Sequence, residues 1–239
     1  MTLRHAHHLT AVRGPAEFRL TVTGAERLTS GLIDAVESVC ARVEDAPGSP
    51  VVVLRLGMPR AAGETGRPPN APAAIGLVSR WERSLRRLER AGAGVFAVAG
   101  GWCGGTALEA LLSCDYRVAA PDLRLAPLAA SGEPWPGMVV HRLTAQLGAA
   151  RARRLALHDG WVSGPRALEA GLVDEISDDT ARALASAIAL ARRLDGSPSA
   201  VRRRILLEAT ASSGFEEAFG IRPAAGARPP GLRPGPALP

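Results

Sequence analysis

Apolar positions along this chain recur with two periods, and the two take turns. "FRLTVTG" (18–24) alternates as a strand does. "TSGLIDAVESVCARVED" (29–45) then sets Leu32, Ile33, Val36, Val39 and Cys40 on one helical face behind a start at Thr29 or Ser30. "PVVVLRLG" (50–57) is an unbroken apolar run of the kind covered on both faces of a parallel sheet. A loop with Gly63, Gly66, Pro68 and Pro69 leads to a helix, "IGLVSRWERSLRRLER", and a strand, "VFAVAGG". "DYRVAAPDLRLAP" reads as two short strands around Pro121-Asp122. Helical patterns follow in "MVVHRLTAQLG", "AARARRLALHD", "PRALEAGL", "DTARALASAIALARRLD" and "SAVRRRILLEATA". Strand and helix in alternation predict an α/β fold with a mostly parallel sheet and right-handed crossovers. No internal repeat is visible. Residues 1–16 read as disordered, as does the tail 223–239, whose proline and glycine exclude a packed core.

Composition narrows the chemistry. Hydrophobic residues make up 46% of the 239 and charged residues 22%, enough to build a sizeable core. All 29 basic residues are arginine, so no Schiff-base or general-base lysine is available and no phosphate-binding loop with its lysine exists. The net charge of +6 is a mild attraction for phosphates. The arginine clusters "RSLRRLER" and "VRRRILLE" lie on helical patterns and read as solvated faces. Aromatics at 4% provide no stacking platform, so no nucleic-acid partner is expected. No apolar run is long enough to span a bilayer, and the N-terminus lacks the apolar centre of a secretory signal. A cytoplasmic protein without membrane contact is the expectation. Cys40, Cys103 and Cys114 have no metal-type spacing and read as reduced, buried thiols; His5, His7 and His8 read as tail residues, and no metal is expected. "GAGVFA" (92–97) has the form of a dinucleotide fingerprint, but its glycines open a strand instead of a helix, so the match is discarded.

The chemically suggestive stretch is "GGWCGGTALEALLSCDYRVA" (100–119), with four glycines in six residues before a helix carrying one acid. A helix start offers free N–H groups and partial positive charge, and glycines let a ligand approach them. Gly105 and Thr106 are the candidate donors to an oxyanion, and Glu109 leans back toward that mouth. Two explanations of Glu109 compete. Thr106-Ala-Leu-Glu109 fits a T-x-x-E capping box. Alternatively, Glu109 is a general acid/base tuned by burial.

Residues 100–137 resemble the crotonase superfamily, the enoyl-CoA hydratase/isomerase family, whose pattern runs strand, N-G-x-x-x-G-G-G, helix with E-L-A, then C-D-x-R-x-A. Matching "CDYRVA" places Gly101 on the first family glycine, Gly105 and Thr106 on the first two of the triplet, and Glu109 on the first catalytic glutamate. "WPGMVVHRLTAQLGAARARRLALHDGWVSGPRALEAGLVDEI" resembles the family's following stretch. The resemblance implies a ββα spiral core over 17–180, C-terminal helices for oligomerisation over 181–222, and a homo-oligomer, trimer or hexamer. It implies an acyl-CoA thioester as substrate, with no cofactor, held by two backbone N–H groups while enolate charge develops. Those donors are Thr106 and, in "AAGETG", Glu64 beside Gly63; Gly104, Gly105, Trp135 and Gly137 line the substrate. The position of the family's second glutamate, fourteen residues beyond Asp115, is Ala129. Glu133 is the candidate replacement, or else a surface acid.

Within the superfamily the chain most resembles the accessory proteins of 3,5-dihydroxyphenylglycine biosynthesis, through "WCGGTALEALLSCDYRVAAPDLRL", "WPGM" with "HRL", and "RRRILLEATASSGFEEAFG". That implies an enzyme of lyase or isomerase type aiding a type III polyketide synthase, alongside other crotonase-like proteins, to form 3,5-dihydroxyphenylacetyl-CoA in antibiotic biosynthesis. Two alternatives stay open: a non-catalytic partner that activates the synthase, and an ordinary enoyl-CoA hydratase/isomerase.

Overall fold

A computed structural model describes residues 10–12, 16–23, 28–57, 75–126, 138–157, 161–193 and 206. The chain divides into two compact units, 1–200 and 201–239; in the second only Leu206 is described.

Strands β1 (Thr10–Val12), β2 (Glu17–Val22), β3 (Val51–Leu56), β4 (Gly94–Ala99), β6 (Tyr116–Ala119) and β9 (Glu175–Ile176) form one sheet in the order β1-β2-β3-β4-β6-β9. All its pairs are parallel except β1 with β2. A second, three-stranded sheet holds β5 (Trp102–Gly104), β7 (Arg124–Ala126) and β8 (Val162–Ser163) in the order β5-β7-β8. The chain therefore places one strand in each sheet before a helix, twice in succession: β4, β5, then α3 (Gly105–Leu112), and β6, β7, then α4 (Val139–Leu147). Such β-β-α repeats are the α/β arrangement expected from the sequence.

The apolar run of β3 is covered on both faces, as its pattern requires. Val52, Leu54 and Leu56 enter the main core with α1 (Ser30–Asp45), α2 (Ile75–Glu89) and α3, while Val51 and Val53 meet Phe96, Leu184 and Ile188 in a second cluster. Helix α1 begins where expected: the Thr29 hydroxyl caps it by accepting the Leu32 N–H at 3.2 Å. Helices α5 (Ala149–Leu157), α6 (Gly164–Glu169) and α7 (Thr180–Arg193) complete the described elements. Among the described residues, no helix is long and apolar enough to cross a membrane.

Within 1–16, expected to be disordered, Thr10–Val12 pairs antiparallel with the edge of β2. Beyond position 180, the expected end of the core, Leu184 and Ile188 of α7 cover the second face of the sheet. A glycine-rich link joins β4 to α3. It contains its own strand, β5, which the chain reaches through Gly101 at φ +58°, a conformation that favours glycine. The tail 223–239 and the helix expected over 199–211 lie outside the described residues, Leu206 excepted.

Candidate active site

Helix α3 is buried over its whole length, from Gly105 to Leu112. Its start is tight: Gly104 is the N-cap without a side-chain cap bond, and Gly105 takes φ +51°. A Cβ on Gly104 would stand 3.2 Å from the Ala126 Cβ and 3.3 Å from its carbonyl oxygen, so β5 and β7 approach as only a small residue permits. Thr106 comes next, 1% exposed. Neither its N–H nor its hydroxyl has a partner among the described residues. An N–H orphaned by helix geometry and kept out of water is the kind of donor that an anionic oxygen completes.

Glu109 lies one turn further in, fully buried. Its carboxylate accepts a hydrogen bond from the Trp81 indole N–H at 2.7 Å on Oε2 and from the Met138 backbone N–H at 2.5 Å on Oε1. Met138 is the N-cap of α4, so the anion lies at that helix's positive end. Hydrogen bonds to a charged group are worth roughly 1.5–3 kcal/mol each. They correct the capping-box reading: Glu109 does not return to the Thr106 backbone, and the Thr106 hydroxyl caps nothing.

The two helices that hold Glu109 are also joined to each other. Arg142, one turn along α4, places its guanidinium on Glu82 at 2.7 and 3.2 Å and on Glu89 at 3.1 Å, both on α2. Burial alone would lower the Arg142 pKa, but the hydrogen bonds and charges of Glu82 and Glu89 outweigh it and hold it above the usual arginine value. The indole donor on α2 and the amide donor on α4 are therefore fixed as a pair.

The other end of α3 is closed. Arg117 Nη2 and Gln146 Nε2 both donate to the Leu112 carbonyl, at 3.2 and 2.7 Å. Arg117 also reaches the carbonyls of Cys114 and Leu172, each at 3.3 Å. Burial pushes the Arg117 pKa below its usual value. Asp115 accepts the Val95 N–H at 2.7 Å and so pins the start of β6 to β4. "CDYRVA" is thus structural: its arginine fastens the end of the helix and its acid ties β6 to β4.

Of the residues singled out from sequence, Gly104, Gly105, Thr106 and Glu109 come together in little more than one turn. Gly63, Glu64, Ala129, Glu133, Trp135 and Gly137 lie outside the described residues. Sequence reasoning missed Trp81, the Met138 amide and the Arg142 clamp. A signal for Trp81 existed: it is the one aromatic on the buried face of a charged helix, and a buried indole N–H requires an acceptor.

No family model matches the chain. A relative from Amycolatopsis orientalis described as an enoyl-CoA hydratase is 42% identical over 213 residues, spanning 89% of this chain and 95% of that protein. Solved structures share the fold at lower identity. An enoyl-CoA hydratase/isomerase family protein from Silicibacter pomeroyi matches with TM-score 0.68 and 22% identity over 90% of this chain and 95% of that one. A Pseudomonas aeruginosa protein matches with TM-score 0.70 and 24% identity over 91% and 98%. The orphaned amide, the acid beside it, the β-β-α repeats and this relationship agree, and the chain belongs to the enoyl-CoA hydratase/isomerase family of the crotonase superfamily.

Proposed function

We propose that this protein enolises and dehydrates an acyl-CoA thioester of polyketide origin, and in doing so aids a type III polyketide synthase to form 3,5-dihydroxyphenylacetyl-CoA. The observation that carries the reading is the Thr106 N–H, unpartnered among the described residues and one turn from Glu109 on the same buried helix. Glu109 takes the α-proton, and the electron pair moves onto the thioester oxygen, where the Thr106 N–H meets it. Oxyanion donors of this type are worth about 3–4 kcal/mol, and a positioned base contributes roughly 10²–10⁴-fold. The β-hydroxyl then leaves with the proton that Glu109 carried, so one carboxylate returns to its starting state as water departs. Trp81 and Met138 each donate to one carboxylate oxygen and fix its plane. Glu64 as second donor, Glu133 as an assisting acid, and assembly as a trimer or hexamer belong to the same reading.

The direct test is exchange of the α-protons of butyryl-CoA in deuterated water, which needs enolisation alone. Wild type is expected to exchange them and Glu109→Gln to lose roughly 10²–10⁴-fold. No exchange by wild type sinks the catalytic reading. The synthase role is tested separately, by the rate of 3,5-dihydroxyphenylacetyl-CoA formation with either protein added. A second reading, a non-catalytic activating partner, draws support from the same two hydrogen bonds, since they give Glu109 a structural role. It predicts equal acceleration by wild type and by folded Glu109→Gln.

A further inference from the structure

The Thr106 hydroxyl is not explained by enolate stabilisation, which uses only the backbone N–H of that residue. Thr106 is 1% exposed, and its Oγ1 has no hydrogen-bond partner among the described residues. A buried hydroxyl ordinarily finds an acceptor. In a helix, Ser and Thr commonly turn back to a preceding carbonyl, as Ser113 does to Glu109 at 2.9 Å and Thr144 to Val140 at 2.8 Å. Thr106 does not. Helical side chains lean toward the N-terminus, which brings its Oγ1 to the same mouth as its own orphaned N–H.

Two donors on one residue, both without acceptors, match a ligand with two oxygens close together. We infer that Thr106 is a specificity-determining residue: its N–H meets the thioester oxygen and its hydroxyl meets a second oxygen on the β-carbon, so that the site prefers β-keto and β-hydroxy acyl thioesters to plain acyl thioesters. In the enol form of a β-keto thioester the two oxygens lie on the same side, within hydrogen-bond distance of each other, and adjacent donors can bridge them. The inference rests on the acyl-CoA reading and names the class of acyl group within it.

The test compares acetoacetyl-CoA, which carries the β-oxygen, with butyryl-CoA, which does not, by calorimetric titration of wild type, Thr106→Val and Thr106→Ser. Valine keeps the shape and the backbone N–H and removes only the hydroxyl; serine restores it. The expected result is a preference of wild type for acetoacetyl-CoA that falls at least tenfold in Thr106→Val and returns to within about threefold in Thr106→Ser. Thermal unfolding supplies a readout on the free protein. Loss of a hydroxyl that has no internal partner leaves Tm unchanged or raises it, whereas loss of one held inside the protein lowers it. An unchanged preference in Thr106→Val, or a clear drop in its Tm, overturns the inference while wild-type binding of butyryl-CoA preserves the acyl-CoA reading. If wild type binds neither thioester, both fall together.

Discussion

The two ends of helix α3 received opposite treatment. At the C-terminal end, the carbonyls of Leu112 and Cys114 are met by Arg117 and Gln146, the Ser113 hydroxyl turns back to Glu109, and the Cys114 thiol turns back to Ala110 at 3.1 Å. At the N-terminal end, eight residues before Cys114 and just as buried, Thr106 has an N–H and a hydroxyl that meet no acceptor among the described residues. A protein able to close one end of a buried helix so fully is able to close the other. The difference marks the N-terminal end as the one kept for a ligand, since unsatisfied donors cost about 1–3 kcal/mol each and native proteins seldom retain them.

Breaking the closed end should damage stability and little else. Arg117→Met keeps the apolar stem but removes the donors from three carbonyls, and is expected to cost roughly 3–5 kcal/mol in urea unfolding. Exchange of butyryl-CoA α-protons, measured per folded molecule, should stay within about threefold of wild type. A large loss of exchange in a protein that remains folded contradicts the division of labour along the helix. Trp81→Phe acts at the other end. It removes the indole donor from Glu109, and the expected cost is roughly 1.5–3 kcal/mol of stability together with at least tenfold slower exchange. If stability falls and exchange does not, the indole only fills the core, and the base needs no such positioning.

Much of this fold was legible because its long elements speak locally. The apolar run of β3 and the six-residue face of α1 announce themselves within their own windows. Strands β5, β8 and β9 do not, because two or three residues hold no period, and β5 exists only as a partner for β7 in a separate sheet. The site was half legible for the same reason. The glycines, Thr106 and Glu109 are neighbours in sequence, so the helix mouth could be read. The partners of Glu109 stand 28 and 29 residues away on α2 and at the start of α4, where nothing local points to them. The capping-box alternative satisfied Glu109 with the nearest donor in sequence, while the folded chain supplies two from a distance.

A smaller effect is expected at Gly105. Its φ of +51° disfavours any Cβ by about 1–2 kcal/mol, so Gly105→Ala should lower stability by that amount. Because relief of the strain would reorient the peptide leading into Thr106, exchange should fall more than stability does. Urea unfolding and α-proton exchange on the same preparation separate the two effects. Equal, small changes in both would mean that the left-handed turn serves only the entry into the helix and not the aim of the donor.

The finest comparison uses the cysteines that flank the helix, Cys103 before it and Cys114 after it, both buried. Burial pushes the Cys103 thiol up to about 12 and, against the opposing pull of Arg87, the more distant Cys40 up to about 11, from 9.0 for a free thiol. A raised folded-state value means that the native protein keeps these protons while the unfolded chain loses them. Their contribution is therefore complete below pH 9 and is lost as the pH climbs from 9 toward 11 for Cys40 and 12 for Cys103. Each thiol removes about 1.4 kcal/mol of stability per pH unit once the unfolded form is ionised. Between pH 8 and pH 10 the loss in wild type should exceed that in Cys103→Ala by about 1.4 kcal/mol, whatever the cavity does to absolute stability, because the cavity term cancels in the difference. Urea unfolding at the two pH values measures it. An equal loss in both proteins would place water beside Cys103 in the native state, and with it within three residues of the donors at Gly105 and Thr106. The unpartnered groups at the helix start would then be hydrated, and their vacancy would no longer separate one end of α3 from the other.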